Sequence, residues 1–227
     1  MRICIIDTET TGLNPADNEL IEVAFAVFNF TENDFSLIEC ASFLLPCDDN
    51  EAFDCNGIAP ELTQMSVMAL SKKMKESMDS CDCFLAHNAA FDKSFFYATF
   101  ECKALPWVCT VADYELDCGK SRKLTHVCAD NGIFFTAGKH RAMIDVLMLA
   151  ELVGKLGYER FVSAFERSKM PEYKLISLAS FAQKEEVKAA GFRWNPDSKQ
   201  WTKNVKTKDV DALVTELSFR CVSEALS

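Results

Sequence analysis

The sequence contains no apolar run approaching the ~20 residues that a membrane helix needs. It has no internal repeat and no low-complexity stretch. The chain enters the apolar stretch RICII directly, without a signal-like region and cleavage site, so nothing in it suggests export. It also lacks a C-x-x-C pair; Cys81 and Cys83, with one residue between them, come closest. The eleven cysteines are therefore expected as reduced, mostly core thiols, rather than a disulfide framework or a zinc cluster. Finally there is no excess of positive charge: 24 Lys and Arg stand against 34 Asp and Glu, a net of −10. Together these absences predict a cytoplasmic protein with no membrane partner, and they weigh against simple electrostatic adhesion to nucleic acid.

What is present points to a folded enzyme-sized chain. Its 227 residues are 49% hydrophobic and 11% aromatic, enough for a sizeable core and incompatible with a disordered chain. The charge is uneven. Residues 1–171 carry 15 basic and 26 acidic side chains, whereas 172–227 carry 9 and 8. An acidic protein still handles nucleic acid if divalent metals neutralise its carboxylates where a phosphate sits.

RICIID reads as a buried central strand, and ELIEVAFAVFNF and FSLIECASFLLP as two meander strands separated at TENDF. PELTQMSVMALSKKMKESM has helical spacing. Next come a strand in CDCFLAHN, a helix in AAFDKSFFYATF, a short strand WVCT and a helix KLTHVCADNG closed at Asn131-Gly132. RAMIDVLMLAELVGKLG is the clearest amphipathic helix. The order predicts an α/β fold, a mixed five-stranded sheet flanked by helices. Pro171 marks a boundary, giving domains at 1–170 and 173–227. The second is expected as a small α+β module, with EEVKAAG and KDVDALVTEL as helices and a hairpin around NPDSK.

DTETTGL places Asp7 and Glu9 two apart at a strand's end, hence on one face. Carboxylates that close repel, so one takes a proton or a hard divalent cation sits between them. Taken alone, the stretch reads equally well as a turn capped by Asp7. In LAHNAAFD, Asp92 falls in the first turn of a helix, where an acid also simply complements the helix dipole. In HRAMID, His140 precedes Asp145 by five residues, the wrong spacing for one helix face. That spacing suits a loop histidine followed by an acid within the helix. His126, inside a helix and away from these motifs, is expected to be structural.

Asp7-x-Glu9, Asp92 and His140-x4-Asp145 match, in order, the motifs of the DEDDh 3′→5′ exonucleases. The chain resembles that superfamily over residues 1–155; its members include RNase T, oligoribonuclease, exonuclease X and polymerase proofreading subunits. The resemblance implies an RNase H-like fold and two divalent ions, Mg²⁺ or Mn²⁺, held by Asp7, Glu9, Asp92 and Asp145. It implies His140 as general base, for which an imidazole titrating near ~6.5 is suited. Thr10, Thr11, Gly12, Leu13, His87, Asn88 and Phe91 would line the pocket for the 3′-terminal nucleotide, with Leu13 as a wedge. The implied activity is release of nucleoside 5′-monophosphates from 3′ ends, on DNA ahead of RNA, in repair or proofreading. A polymerase or a second copy of the chain is a candidate partner. The rival class is a protein that holds nucleic-acid ends or a polymerase without cutting.

VKAAGFRWNPDSKQWTK resembles small modules appended to nucleic-acid enzymes. If KQWTK is a strand, Lys199, Trp201 and Lys203 share a face suited to single-stranded nucleic acid. The competing expectation is a small hairpin core containing Phe192 and Trp194, with Trp201 left open between the two readings and the lysines as a solvated rim.

Overall fold

The apolar alternation of the first strands decides the layering. In the computed structural model β1 (Arg2–Thr10), β2 (Leu20–Phe30) and β3 (Phe35–Leu44) form an antiparallel meander. The structure describes all residues except 64–66, 115, 117–120, 136–139, 197 and 227, and the side chains at 67–71 and 73 are also outside the description. The chain continues through α1 (Phe53–Asn56) and α2 (Val67–Met78) to β4 (Cys83–Ala86) and α3 (Ala89–Thr99). There follow β5 (Trp107–Cys109), α4 (Leu124–Asp130), α5 (Ala142–Leu156) and α6 (Tyr158–Ser168). The sheet order is β3-β2-β1-β4-β5, with β4 and β5 parallel to β1. This is the expected mixed five-stranded RNase H-like architecture.

Alternate residues of β1 serve two cores. Ile3 and Ile5 face Val146, Leu149 and Val153 of α5, while Cys4 and Ile6 face Phe95 and Phe96 of α3. Each of these phenylalanines is almost wholly buried, worth about 1.5–3 kcal/mol relative to exposure. Because the period is two, Asp7 and Glu9 continue the α5 side and Thr8 the α3 side. β1 lies where the sheet changes from antiparallel to parallel, and the carboxyl end of such a strand is where open α/β sheets place ligands. A register shift between Glu9 and Thr10 then turns the chain out of the ladder.

The chain divides into two units, Met1–Ser168 and Lys169–Ser227. The second contains β6 (Glu172–Ser177), α7 (Lys184–Ala189), β7 (Arg193–Asn195), β8 (Gln200–Lys206), α8 (Val210–Glu216) and β9 (Cys221–Leu226). Its sheet runs β7-β8-β6-β9. The hairpin and both helices match expectation; β6 and β9 were not foreseen. Leu175, Val187, Phe192, Val205 and Phe219 form its core. Phe192 is buried as expected, but Trp194 is 50% exposed and lies outside that core. Residues 64–66 of the expected helix PELTQMSVMALSKKMKESM, Cys118, and Asp197 of the expected hairpin turn lie outside the described residues. The described cysteines are free thiols. Among the described residues no helix is long and apolar enough to cross a membrane.

Candidate active site

Three elements converge at the end of β1. Glu9 from the strand, Asp145 from the first turn of α5 and His140 from the preceding loop bring one ligand atom each within 4.8 Å of one another. His140 Nδ1 lies 3.4 Å from Asp145 Oδ2, and its side chain is 60% exposed. The five-residue spacing thus works as read: a loop histidine beside a helical acid. Asp92, in the first turn of α3, approaches from the other side. The Thr8 hydroxyl donates to its Oδ1 at 2.8 Å, and backbone N–H groups of Thr8 and Asp92 itself also support it.

The carboxylates disturb one another as repulsion requires. Burial pushes Glu9 up to about 8, with Asp145, Glu22 and Asp92 adding to the rise and Arg141 opposing it. Burial likewise lifts Asp92 to about 7. Asp7 is raised well above the usual carboxylate range by burial, then by Asp92, Asp145 and Glu9. Asp145 is raised by burial and partly relieved by His140. No hydrogen bond or ion pair reaches the Asp7 or Glu9 carboxylate from the described residues, apart from the general field of Arg141. An all-oxygen and imidazole donor set with surplus negative charge fits a hard divalent cation.

The neighbouring acid is treated differently. Glu22, the cross-strand partner of Glu9, is buried in the mostly apolar β2. Arg141 grips it with Nε and a terminal nitrogen, both at 3.0 Å. The Ala142 N–H donates to it at 3.1 Å and the Ser42 hydroxyl at 2.8 Å. A carboxylate on one strand therefore caps the first orphan donor of α5 and fixes the helix that carries Asp145. Sequence reasoning missed Glu22 and Arg141. The available signal was a lone acid inside LIEVAFAVFNF and an arginine adjoining His140.

A second missed support is the α1 loop. Asn56 is buried, and its amide donates to the Thr10 carbonyl at 3.2 Å. Asn50 donates to Asn56 at 2.9 Å and to the Ile58 carbonyl at 2.8 Å. One residue away, the Cys55 carbonyl accepts from the His140 N–H at 3.3 Å. This loop thus ties Thr10 and His140 together from opposite sides of the site.

The expected pocket residues divide by what their polar groups do. Thr10 donates to the Gly12 carbonyl at 2.5 Å, and Thr11 Oγ1 accepts from the Glu19 N–H at 2.9 Å, so both hydroxyls shape the loop itself. Gly12 approaches Asn18 so closely that an added Cβ would meet its amide at 2.6 Å. Leu13, by contrast, is 85% exposed at the loop tip. His87 is engaged through both nitrogens, to Thr110 Oγ1 at 2.8 Å and the Arg122 carbonyl at 2.7 Å. The carbonyl only accepts, so Nε2 carries the proton, and burial holds His87 below the ordinary histidine value. Asn88 is exposed in the left-handed region (φ 66°) at the start of α3, and Phe91 packs on Phe95 with ring centroids 5.1 Å apart. His126 is exposed on α4.

In the second unit, Trp201 and Lys203 alternate on β8 and share a face, whereas Lys199 lies in the turn with φ 52°. Lys203 Nζ donates to the Ala190 carbonyl at 2.8 Å, capping α7.

Comparison with known proteins agrees with this layout. Residues 4–153 match the RNase T family, described as Exonuclease, and residues 177–222 match a domain of unknown function, DUF8626. The PolC-type DNA polymerase III of Streptococcus sanguinis (strain SK36) is 32% identical over 106 residues, covering 45% of this chain and 7% of the polymerase. The zinc-bound E. coli ExoI–ssDNA complex superposes with a TM-score of 0.57 at 20% identity, covering 78% of this chain and 48% of that one. An ExoI/SSB-Ct complex gives 0.58 at 18%, covering 82% and 50%. The chain therefore spans about half the length of these structures, and at such identity the likeness is one of fold. Two thirds of the sequence falling within one family match is the stronger finding: the chain belongs to the exonuclease family, within the DEDDh-type 3′→5′ exonuclease superfamily.

Proposed function

We propose that the protein is a metal-dependent 3′→5′ exonuclease that releases nucleoside 5′-monophosphates from DNA. The observation that carries this reading is the crowding of Asp7, Glu9, Asp92 and Asp145 with their carboxyls raised, beside an exposed His140. Such a set is costly to keep without cations, which counts against a protein that only holds nucleic-acid ends. Asp7, Glu9, Asp92 and Asp145 would hold two Mg²⁺ or Mn²⁺ ions. When bound, these supply charge stabilisation at the phosphate and acidify water to make a nucleophile.

The chain's own groups do the rest. With Nδ1 turned to Asp145, the His140 Nε2 is the atom left to take the proton of the attacking water. Its exposure on a loop lets it reach that proton and then pass it to solvent. The pinned loop Thr10–Leu13 and the α1 loop form the wall against which the terminal nucleotide rests, with Leu13 against its base. His87 holds the β4 end to the Arg122 segment. Residues 1–170 form the catalytic domain on this reading, and 173–227 an appended module.

DNA is favoured over RNA because the PolC-type relative is a DNA polymerase and the superposed exonuclease was solved with single-stranded DNA. Single-stranded DNA, duplex DNA and RNA of one sequence, each 3′-labelled and incubated with Mg²⁺ and protein, test it. Mononucleotide release from the DNA substrates, at a higher initial rate than from RNA, is expected. Faster RNA digestion would move the assignment to an exoribonuclease, and no Mg²⁺-dependent release from any substrate would refute the enzyme.

A further inference from the structure

The second unit carries a strip of alternating rings and ammonium groups. Phe181 begins it, 84% exposed on a turn held by a reciprocal Ser180–Gln183 capping box. Lys184 Nζ lies 4.8 Å from the centre of the Phe181 ring. Lys188 follows one helical turn later, on the same face of α7. Its Nζ is 6.0 Å from the centre of Trp201. Trp201 in turn meets Trp194, its cross-strand partner, with centroids 5.6 Å apart and planes at 61°. Trp194 ends the strip half-exposed. The order is thus Phe181, Lys184, Lys188, Trp201, Trp194. Glu185 pairs with Lys188 at 3.0 Å, but both are well exposed, and such a pair yields readily to a stronger anion.

Large aromatic faces left in water beside flexible cations call for a partner with flat, apolar rings and regular negative charge. We propose that this strip is a binding surface for single-stranded nucleic acid, with bases stacking on Phe181 and Trp194 and phosphates meeting Lys184 and Lys188. The charge suits it: Lys169–Ser227 holds ten Lys and Arg against eight Asp and Glu, whereas Met1–Ser168 holds 14 against 26. An acidic peptide would satisfy the lysines but leave both rings without planar partners. A bound strand uses every member. The strip differs from the surface expected from sequence, since Lys203 is committed to the end of α7 and Trp201 lies between the core and its exposed neighbour. It deepens the reading of the protein as an exonuclease on DNA, giving the appended unit a grip on the strand, but it does not depend on the chemistry at Asp7.

Binding of a fluorescent oligothymidylate to the full-length protein in EDTA, followed by anisotropy, tests it without digestion. Phe181→Ala and Trp194→Ala, singly, should each weaken binding roughly fivefold or more, as loss of one base–ring stack does. Lys184→Gln with Lys188→Gln should reduce the slope of log affinity against log salt by about 1.4, two phosphates at ~0.7 each. An abasic deoxyribose-phosphate strand or polyglutamate of equal charge should bind markedly less tightly than the oligothymidylate. Unchanged affinity in the ring variants, or equal affinity for polyglutamate, would overturn the proposal. Because Phe181 lies outside the core, its variant should melt as wild type does. Mononucleotide release from a trinucleotide reports on the first unit separately. A protein that binds through the strip but digests nothing would sink the exonuclease reading and leave this one standing.

Discussion

The two units hold their charges in opposite ways. In Met1–Ser168 the acids at the end of β1 are crowded, half-buried or buried, and supplied with almost no counter-charge. In Lys169–Ser227, Lys184 and Lys188 lie near the surface, each beside a weak partner: a ring or an exposed glutamate. The first arrangement is relieved only by a proton or a cation between the charges. The second is stable alone and can exchange its partners for a better one. On the proposed reading, the contrast separates a place for tight, geometrically exacting cations from a place for loose, sliding contact with a polyanion.

The sharpest way to break the comparison is to remove the charge deficit of the first unit. Asp7→Ala or Asp145→Ala should reduce Mg²⁺-dependent release by at least about 10³-fold while leaving the circular dichroism spectrum intact. Wild-type digestion by either variant would show that the crowded acids are not the reacting centre. His140→Ala should slow turnover by about 10²–10⁴-fold, with Mg²⁺ still protecting the protein in a thermal melt. Loss of that protection would mean the histidine is chiefly a metal ligand.

Glu22 and Glu9 give the next effect, because they are cross-strand neighbours with opposite surroundings. Glu22→Gln weakens a buried carboxylate that receives four donated hydrogen bonds. It should lower stability by about 1–3 kcal/mol and, by loosening the start of α5 beneath Asp145, reduce activity roughly 10- to 100-fold. If activity stayed level while stability fell, the Glu22–Arg141 clamp would be a fold device with no bearing on Asp145.

Which of these features could be read in advance follows from their range along the chain. Asp7, Glu9, Asp92, His140 and Asp145 occupy local motifs, and strand and helix periods place them without knowledge of distant contacts. Glu22 and Arg141 are 119 residues apart, so neither alone announces the other. Asn56 looks like an ordinary loop residue until its bond to the Thr10 carbonyl is seen. The same holds in the second unit. β6 pairs with β8 and β9, and β9 with β6, across long stretches of chain, and their mixed sequences EYKLIS and CVSEAL carry no clean alternation. Trp194 was expected in the hairpin core because large rings usually bury, but its place on the edge strand β7 leaves half of it in water.

Titration gives a smaller, signed effect. Glu9 and Asp92 have folded values of about 8 and about 7, above those of free carboxylates at ~4. Below pH 4 both states are protonated and the groups contribute nothing. As pH rises through 4 the unfolded chain ionises first, so the metal-free protein loses stability until the folded groups also ionise near 7–8. Its melting temperature should fall by several degrees between pH 5 and 8, and Mg²⁺ should restore more of it at pH 8 than at pH 6. Glu9→Gln should flatten the metal-free decline and weaken the Mg²⁺ effect. That is the opposite sign from Glu22→Gln on the adjoining strand. A metal-free melting temperature that rises across this range would contradict the crowding.

The smallest effect distinguishes lysines within the second unit. Lys203 donates to the Ala190 carbonyl at the end of α7, and Gly191, with φ 82°, follows it in the left-handed conformation that ends a helix. Lys203→Met keeps the aliphatic stem but removes the donor, so stability should drop by about 0.5–1.5 kcal/mol. Lys199→Ala removes an exposed turn lysine and should change stability by less than about 0.5 kcal/mol. Thermal melts of the two variants at low and high salt separate a hydrogen-bonded cap from simple surface charge. The Lys203 loss should persist at high salt, because a cap bond is short-ranged, whereas any Lys199 effect should vanish with screening. Equal, salt-sensitive losses would make the lysines interchangeable rim charges and erase the distinction between cations that hold the fold and cations free to meet a strand.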